Sequence, residues 1–97
     1  MVALDMLGRR GTLRVLWELR GEPLTFRALQ AACETNPGSL NTRLKELRDL
    51  GIVGHDTGGY RLSEQGRALI AALRPLQTWA EGWASDRRAT GRAEAHA

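Results

Sequence analysis

Apolar residues in this 97-residue chain recur in blocks at helical spacing, and each block is closed by a local stop signal. In the first, Leu4, Leu7, Leu13, Leu16, Trp17 and Leu19 are interrupted by Gly8-Arg9-Arg10-Gly11. The pattern predicts a short helix, a bend carrying two exposed arginines, and a second helix. Gly21-Glu22-Pro23 ends that helix, and Leu24 can add a short strand. Thr25 is a good N-cap, followed by Phe26, Leu29 and Cys33 on one face of a third helix. Asn36-Pro37 repeats the signal, with proline at the first helical position, where a backbone N–H would have no partner. Leu40, Leu44 and Leu47 then share a face until Gly51 stops the helix, which predicts helix over 37–50. Ile52-Val53 and Tyr60-Arg61-Leu62 read as strands around Asp56-Thr57-Gly58-Gly59, a hairpin over 52–62. Ser63 caps a last helix whose apolar positions Leu69, Leu73, Leu76, Ala80 and Trp83 alternate steps of four and three. Pro75 is expected to kink or split it, and residues 89–97 read as a frayed tail.

Helix, turn, longer helix and tight hairpin, in that order, is the arrangement of a winged helix-turn-helix. The expected fold is mainly α with a small β-hairpin wing (α+β), a three-helix core with N- and C-terminal dimerisation helices. Residues 1–88 form the domain and 89–97 the tail. Double-stranded DNA is the leading partner. With Leu44 facing inward and about 100° per residue, Gly38, Asn41, Thr42 and Lys45 fall on the outer side of the second helix. A small residue permits close approach, Asn matches adenine, Thr can donate, accept or touch a thymine methyl, and Lys reaches guanine or phosphate. Ser39 and Arg43 join them as candidate DNA-binding residues, as does Arg61 on the returning strand.

Charge sharpens this reading. The formal net charge is only +3, but thirteen of the fourteen basic residues are arginine, whose planar fork suits phosphate. Arg27, Arg43, Lys45, Arg48 and Arg61 all fall inside the proposed DNA-facing unit. The chain is also short for a self-sufficient core, so a homodimer is expected. Its candidate residues are Leu4, Leu7, Leu73, Leu76, Trp79 and Trp83. Trp79 and Trp83, one turn apart, either fold back on the domain's core or meet a second copy, and the limited core favours the second copy.

Catalysis finds no support: there is no nucleophile elbow and no metal-ligand spacing, so no cofactor or metal is expected. His55 with Asp56 reads as a solvated hairpin pair rather than an acid–base dyad. The glycines at 8 and 11 lack the preceding strand and Lys-Ser/Thr ending of a phosphate loop. The single cysteine, Cys33, excludes an intramolecular disulfide and reads as a buried structural thiol rather than a redox sensor. No signal peptide or membrane span is evident, so a cytoplasmic protein with no membrane partner is expected.

Several segments, taken in order, resemble the HxlR-type winged-helix transcriptional regulators of the MarR-like group. Leu7-Gly8-Arg9-Arg10-Gly11-Thr12-Leu13 is similar to the family's Leu-Gly-Gly-Lys-Trp-Thr-Leu, and Thr25-Phe26-Arg27-Ala28-Leu29 to its Arg-Phe-Asn-Glu-Leu. Arg43-Leu44-Lys45-Glu46-Leu47-Arg48-Asp49-Leu50-Gly51-Ile52-Val53 resembles the recognition-helix core, and the segment from Tyr60-Arg61-Leu62-Ser63 to Gly66 its Tyr-Ser-Leu-Thr-Glu-Lys-Gly. Trp79 falls where many members carry tryptophan. Gly11 replaces the usual tryptophan, the wing is shorter than typical, and the N-terminal cysteine of redox-sensing members is absent. The resemblance implies a homodimer joined through its terminal helices, with two recognition helices on a pseudo-palindromic operator. The competing class is a winged-helix protein-interaction module with no operator of its own. A small-molecule effector would need a pocket between the dimer helices and the DNA-binding unit, which the sequence does not reveal.

Overall fold

Two short helices, α1 (Val2–Leu7) and α2 (Thr12–Glu18), take up the N-terminal stretch and are divided by the expected bend. The computed structural model describes residues 2–96, with side chains described over residues 4–90. Helix α3 (Phe26–Cys33) starts where Thr25 accepts the Ala28 N–H at 3.2 Å. Helix α4 (Pro37–Asp49) starts where Asn36 accepts the Ser39 N–H at 2.8 Å. Each cap satisfies one of the N–H groups that a helix start leaves without a partner. Between them Glu34 turns the chain in the left-handed region, φ 52°, so the turn is three residues long without a glycine.

Helix α4 ends on two backbone bonds, Gly51 N–H to the Arg48 carbonyl at 3.0 Å and Ile52 N–H to the Leu47 carbonyl at 2.9 Å. Ile52 is thereby part of the helix terminus rather than of the strand where the sequence put it. Strand β1 instead spans Val53–Asp56 and pairs antiparallel with β2 (Gly59–Leu62), with His55 opposite Tyr60 and Asp56 opposite Gly59. Leu24 adds a bridge to Tyr60 on the far side, through bonds of 2.9 and 2.7 Å. That approach requires glycine at 59: a Cβ there would lie 2.5 Å from the Leu24 carbonyl oxygen, and φ is +110°.

Helix α5 (Glu64–His96) is continuous through Pro75 and through 89–96, where a frayed tail was expected. Proline removes one intrahelical bond, and a helix of 33 residues retains helical geometry on both sides of it. Ser63 caps it by accepting the Gly66 N–H at 3.1 Å, and its hydroxyl donates at the end of α4, 2.6 Å from the Gly51 carbonyl. The same residue thus joins the end of α4 to the start of α5.

The core lies between α2, α3, α4 and the hairpin. Leu16, Leu19, Leu29, Leu40, Leu44 and Leu47 are buried in it, with Met6 from α1, Val53 and Leu62 from the strands and Ile70 from α5. Beyond Ile70 the apolar positions of α5 leave the core: Leu73 is half-buried, and Leu76, Trp79 and Trp83 are exposed.

Candidate nucleic-acid interface

Burial of Leu40, Leu44 and Leu47 fixes the roll of α4 and therefore decides what it presents outward. Gly38, Ser39, Asn41, Thr42 and Lys45 are exposed, as the helical period predicts. Asn41 and Lys45 make no side-chain hydrogen bond or ion pair among the described residues, so their donors are free for an incoming ligand. Thr42 is more constrained. Its hydroxyl donates to the Gly38 carbonyl at 3.0 Å, leaving lone pairs and a methyl group to present. Arg43 does not stand on the outer face with the others. Its side chain is 19 % exposed and pairs with Glu46 at 3.5 Å. Glu46 also accepts Arg9 at 3.1 Å, so one carboxylate ties the bend after α1 to the flank of α4.

This exposed ridge is flanked by two open grooves of similar size, ≈ 820 and ≈ 800 Å³, with Thr42 lining both. On the wing side the walls are Asn41, Lys45, Arg48 and Asp49 facing Val53, Gly54 and His55. On the other side the start of α4 faces the start of α2, with Arg10, Arg14 and Arg43 among the lining residues. In sequence Arg10 is one of two exposed arginines of the bend, and nothing local singles out Arg14. Their placement beside α4 depends on tertiary packing that no local pattern encodes.

In the wing, Arg61 is exposed opposite Gly54, and its guanidinium pairs with Asp56 across the turn. His55 and Asp56 point to different partners, because His55 stacks on Tyr60 with ring centroids 4.1 Å apart. That separates them as acid and base. Cys33 is half-buried at the edge of the core rather than sealed in it. Burial pushes its thiol above the usual range, the Glu18 carboxylate adds to this, and Arg14 opposes it. A thiol so held stays protonated at neutral pH, the opposite of an activated cysteine.

The candidate dimer residues divide. Leu7 packs against the core. Leu4 is 61 % exposed, Leu76 56 %, Trp79 62 % and Trp83 48 %. The two indoles stack on each other, centroids 6.0 Å apart, and do not fold back onto the core. An apolar groove lined by Leu13, Trp17, Ile70, Leu73 and Leu76 runs between α2 and α5. On this groove Leu13 is exposed and Trp17 half-buried beneath the Arg20 guanidinium.

The model of the HxlR-like helix-turn-helix family matches residues 6–88. An uncharacterised HTH-type transcriptional regulator of Bacillus subtilis, YvaP, is 30 % identical over 89 residues, covering 84 % of this chain and 82 % of that protein. One from Methanocaldococcus jannaschii is 24 % identical over 83 residues, covering 80 % and 78 %. Among solved structures, quinone-bound YodB from B. subtilis superposes with a TM-score of 0.78 at 30 % identity, covering 84 % of this chain and 93 % of that one. The family match spans the helix-turn-helix, the wing and the first part of α5, and the family and these relatives are transcriptional regulators, not enzymes. The chain belongs to the HxlR-like helix-turn-helix family and is a DNA-binding transcriptional regulator with a winged-helix fold.

Proposed function

We propose that the protein binds a pseudo-palindromic operator as a homodimer, with the helix at 37–50 in the major groove and the wing at 52–62 on the flanking backbone or minor groove. The observation that carries this reading is the ridge of α4, where Asn41, Thr42 and Lys45 are exposed between two grooves and backed by three buried leucines. Asn41 and Lys45 offer the groups that read adenine and guanine edges. Gly38 and Ser39 allow the start of the helix to approach closely. Arg61 belongs to the wing contact, and Arg43 to the flank of the helix.

Dimerisation is supported by the exposed side chains of Leu4, Leu76, Trp79 and Trp83, an apolar area that a second copy would remove from water. A cytoplasmic site of action follows from this reading. Among the described residues no helix is long and apolar enough to cross a membrane. The apolar groove between α2 and α5, beside the dimer helix, is the place that suits a small apolar effector.

Selection of genomic duplexes by the purified protein tests the proposal. The expected result is an enriched site with two related half-sites whose centres lie about one helical turn apart or a multiple of it, bound with an affinity that falls steeply with salt. No enrichment, with salt-insensitive capture of a protein partner through Trp79 and Trp83, would identify an interaction module instead.

A further inference from the structure

We infer that the groove between the starts of α2 and α4 is a phosphate-binding channel for the DNA strand on the side of α4 away from the wing, with Arg10 as its principal contact. The inference rests on the DNA-binding reading of α4 and extends it to residues outside the helix-turn-helix and wing.

A helix inserted in the major groove has a phosphate backbone on each side, because that groove is only about 12 Å wide. The ridge of α4 matches this arrangement: Thr42 lines both flanking grooves, so each groove opens from the same line of exposed residues. The wing-side groove carries Lys45 and Arg48. The opposite groove has its own basic wall, contributed by a different part of the chain.

Within that wall the three arginines differ. Arg14 is a structural tie: it donates to the Ala32 carbonyl at 2.8 Å and pairs with Glu18 at 2.9 Å. Arg43 is tied to Glu46. Arg10 is exposed and makes no side-chain hydrogen bond or ion pair among the described residues, so its charge is available to an arriving anion. Thr35 and Ser39 add polar side chains to the lining of the same groove. Glu34 is the one carboxylate lining the groove. A phosphate diester, which accepts from guanidinium and hydroxyl donors, fits the chemistry of this lining, whereas an apolar ligand does not.

The test uses the full chain and the selected duplex, with single phosphates replaced one at a time by neutral methylphosphonates. The wild type should lose affinity at phosphates on both sides of the recognition helix. Arg10→Ala should bind specific and scrambled duplexes more weakly by the same factor and lower the salt slope by about one. It should also become insensitive to methylphosphonate at the positions distal to the wing, while keeping its sensitivity on the wing side. Arg88→Ala, which removes an equal charge from the distal part of α5, should leave the methylphosphonate profile unchanged. An Arg10→Ala protein that keeps the wild-type profile and slope overturns the inference while DNA binding stands. A wild type that binds no duplex overturns the DNA-binding reading itself.

Discussion

Asp56 and Arg61 form an ion pair across the two-residue turn of the wing, and the same carboxylate accepts the Gly58 N–H at 2.9 Å through its other oxygen. One acidic residue therefore both shapes the turn and occupies the arginine expected to reach DNA. Arg61→Ala should weaken binding to specific and scrambled duplexes alike and reduce the salt slope by about one. A loss confined to the specific duplex would show that Arg61 reads bases.

Asp56→Asn separates the two roles of the carboxylate. Asparagine keeps an oxygen for the Gly58 N–H but removes the charge that holds Arg61. Binding to any duplex should tighten and its salt dependence steepen, and both effects should vanish in an Arg61→Ala background. Fluorescence titrations of the two single variants and the double variant measure this coupling directly.

Asn41 stands on the exposed ridge with no internal partner among the described residues, so its loss should be felt only where it meets a base. Asn41→Ala is expected to cost about 1 to 3 kcal/mol on the preferred site and little on a scrambled duplex. Equal losses on both would mean that Asn41 contacts the backbone.

The parts of the fold that were legible in sequence are those set by neighbours along the chain. Asn36-Pro37 fixed the start of α4, Leu40, Leu44 and Leu47 fixed its roll, and the roll then fixed Asn41 and Lys45 as outward residues. Arg43, one residue before the buried Leu44, falls on the flank of that ridge, where it pairs with Glu46. Arg9 meets Glu46 from 37 residues away, a separation at which no periodicity carries information. Ile52 lies outside the strand because the backbone bonds that end α4 reach three residues past Asp49. Pro75 does not split α5, since the helical bonds on either side of it keep the helix continuous.

Cys33 gives a chemical check on the packing of α2 against α3. With its thiol held protonated by burial and Glu18, alkylation of the native protein at neutral pH should be slow and should accelerate on unfolding. Rapid labelling of the folded protein would mean that the site is open and the thiol ionised.

The last prediction concerns the stacked indoles on α5. Trp79 and Trp83 lie beyond the part of the helix that packs on the core, and both are exposed in the single chain. Their removal should therefore leave the fold of the domain intact and act on association alone. Trp79→Ala with Trp83→Ala should shift the protein to monomer in sedimentation at micromolar concentration, with an unfolding transition close to that of wild-type monomer. Operator binding should fall with it, because two half-sites are held tightly only when two recognition helices are linked. Binding to an isolated half-site should be unaffected, since both indoles are exposed on α5 outside the core that positions α4 and the wing. A monomeric wild type, or a double variant that still dimerises and binds the whole operator as before, would place the dimer contact elsewhere on the molecule.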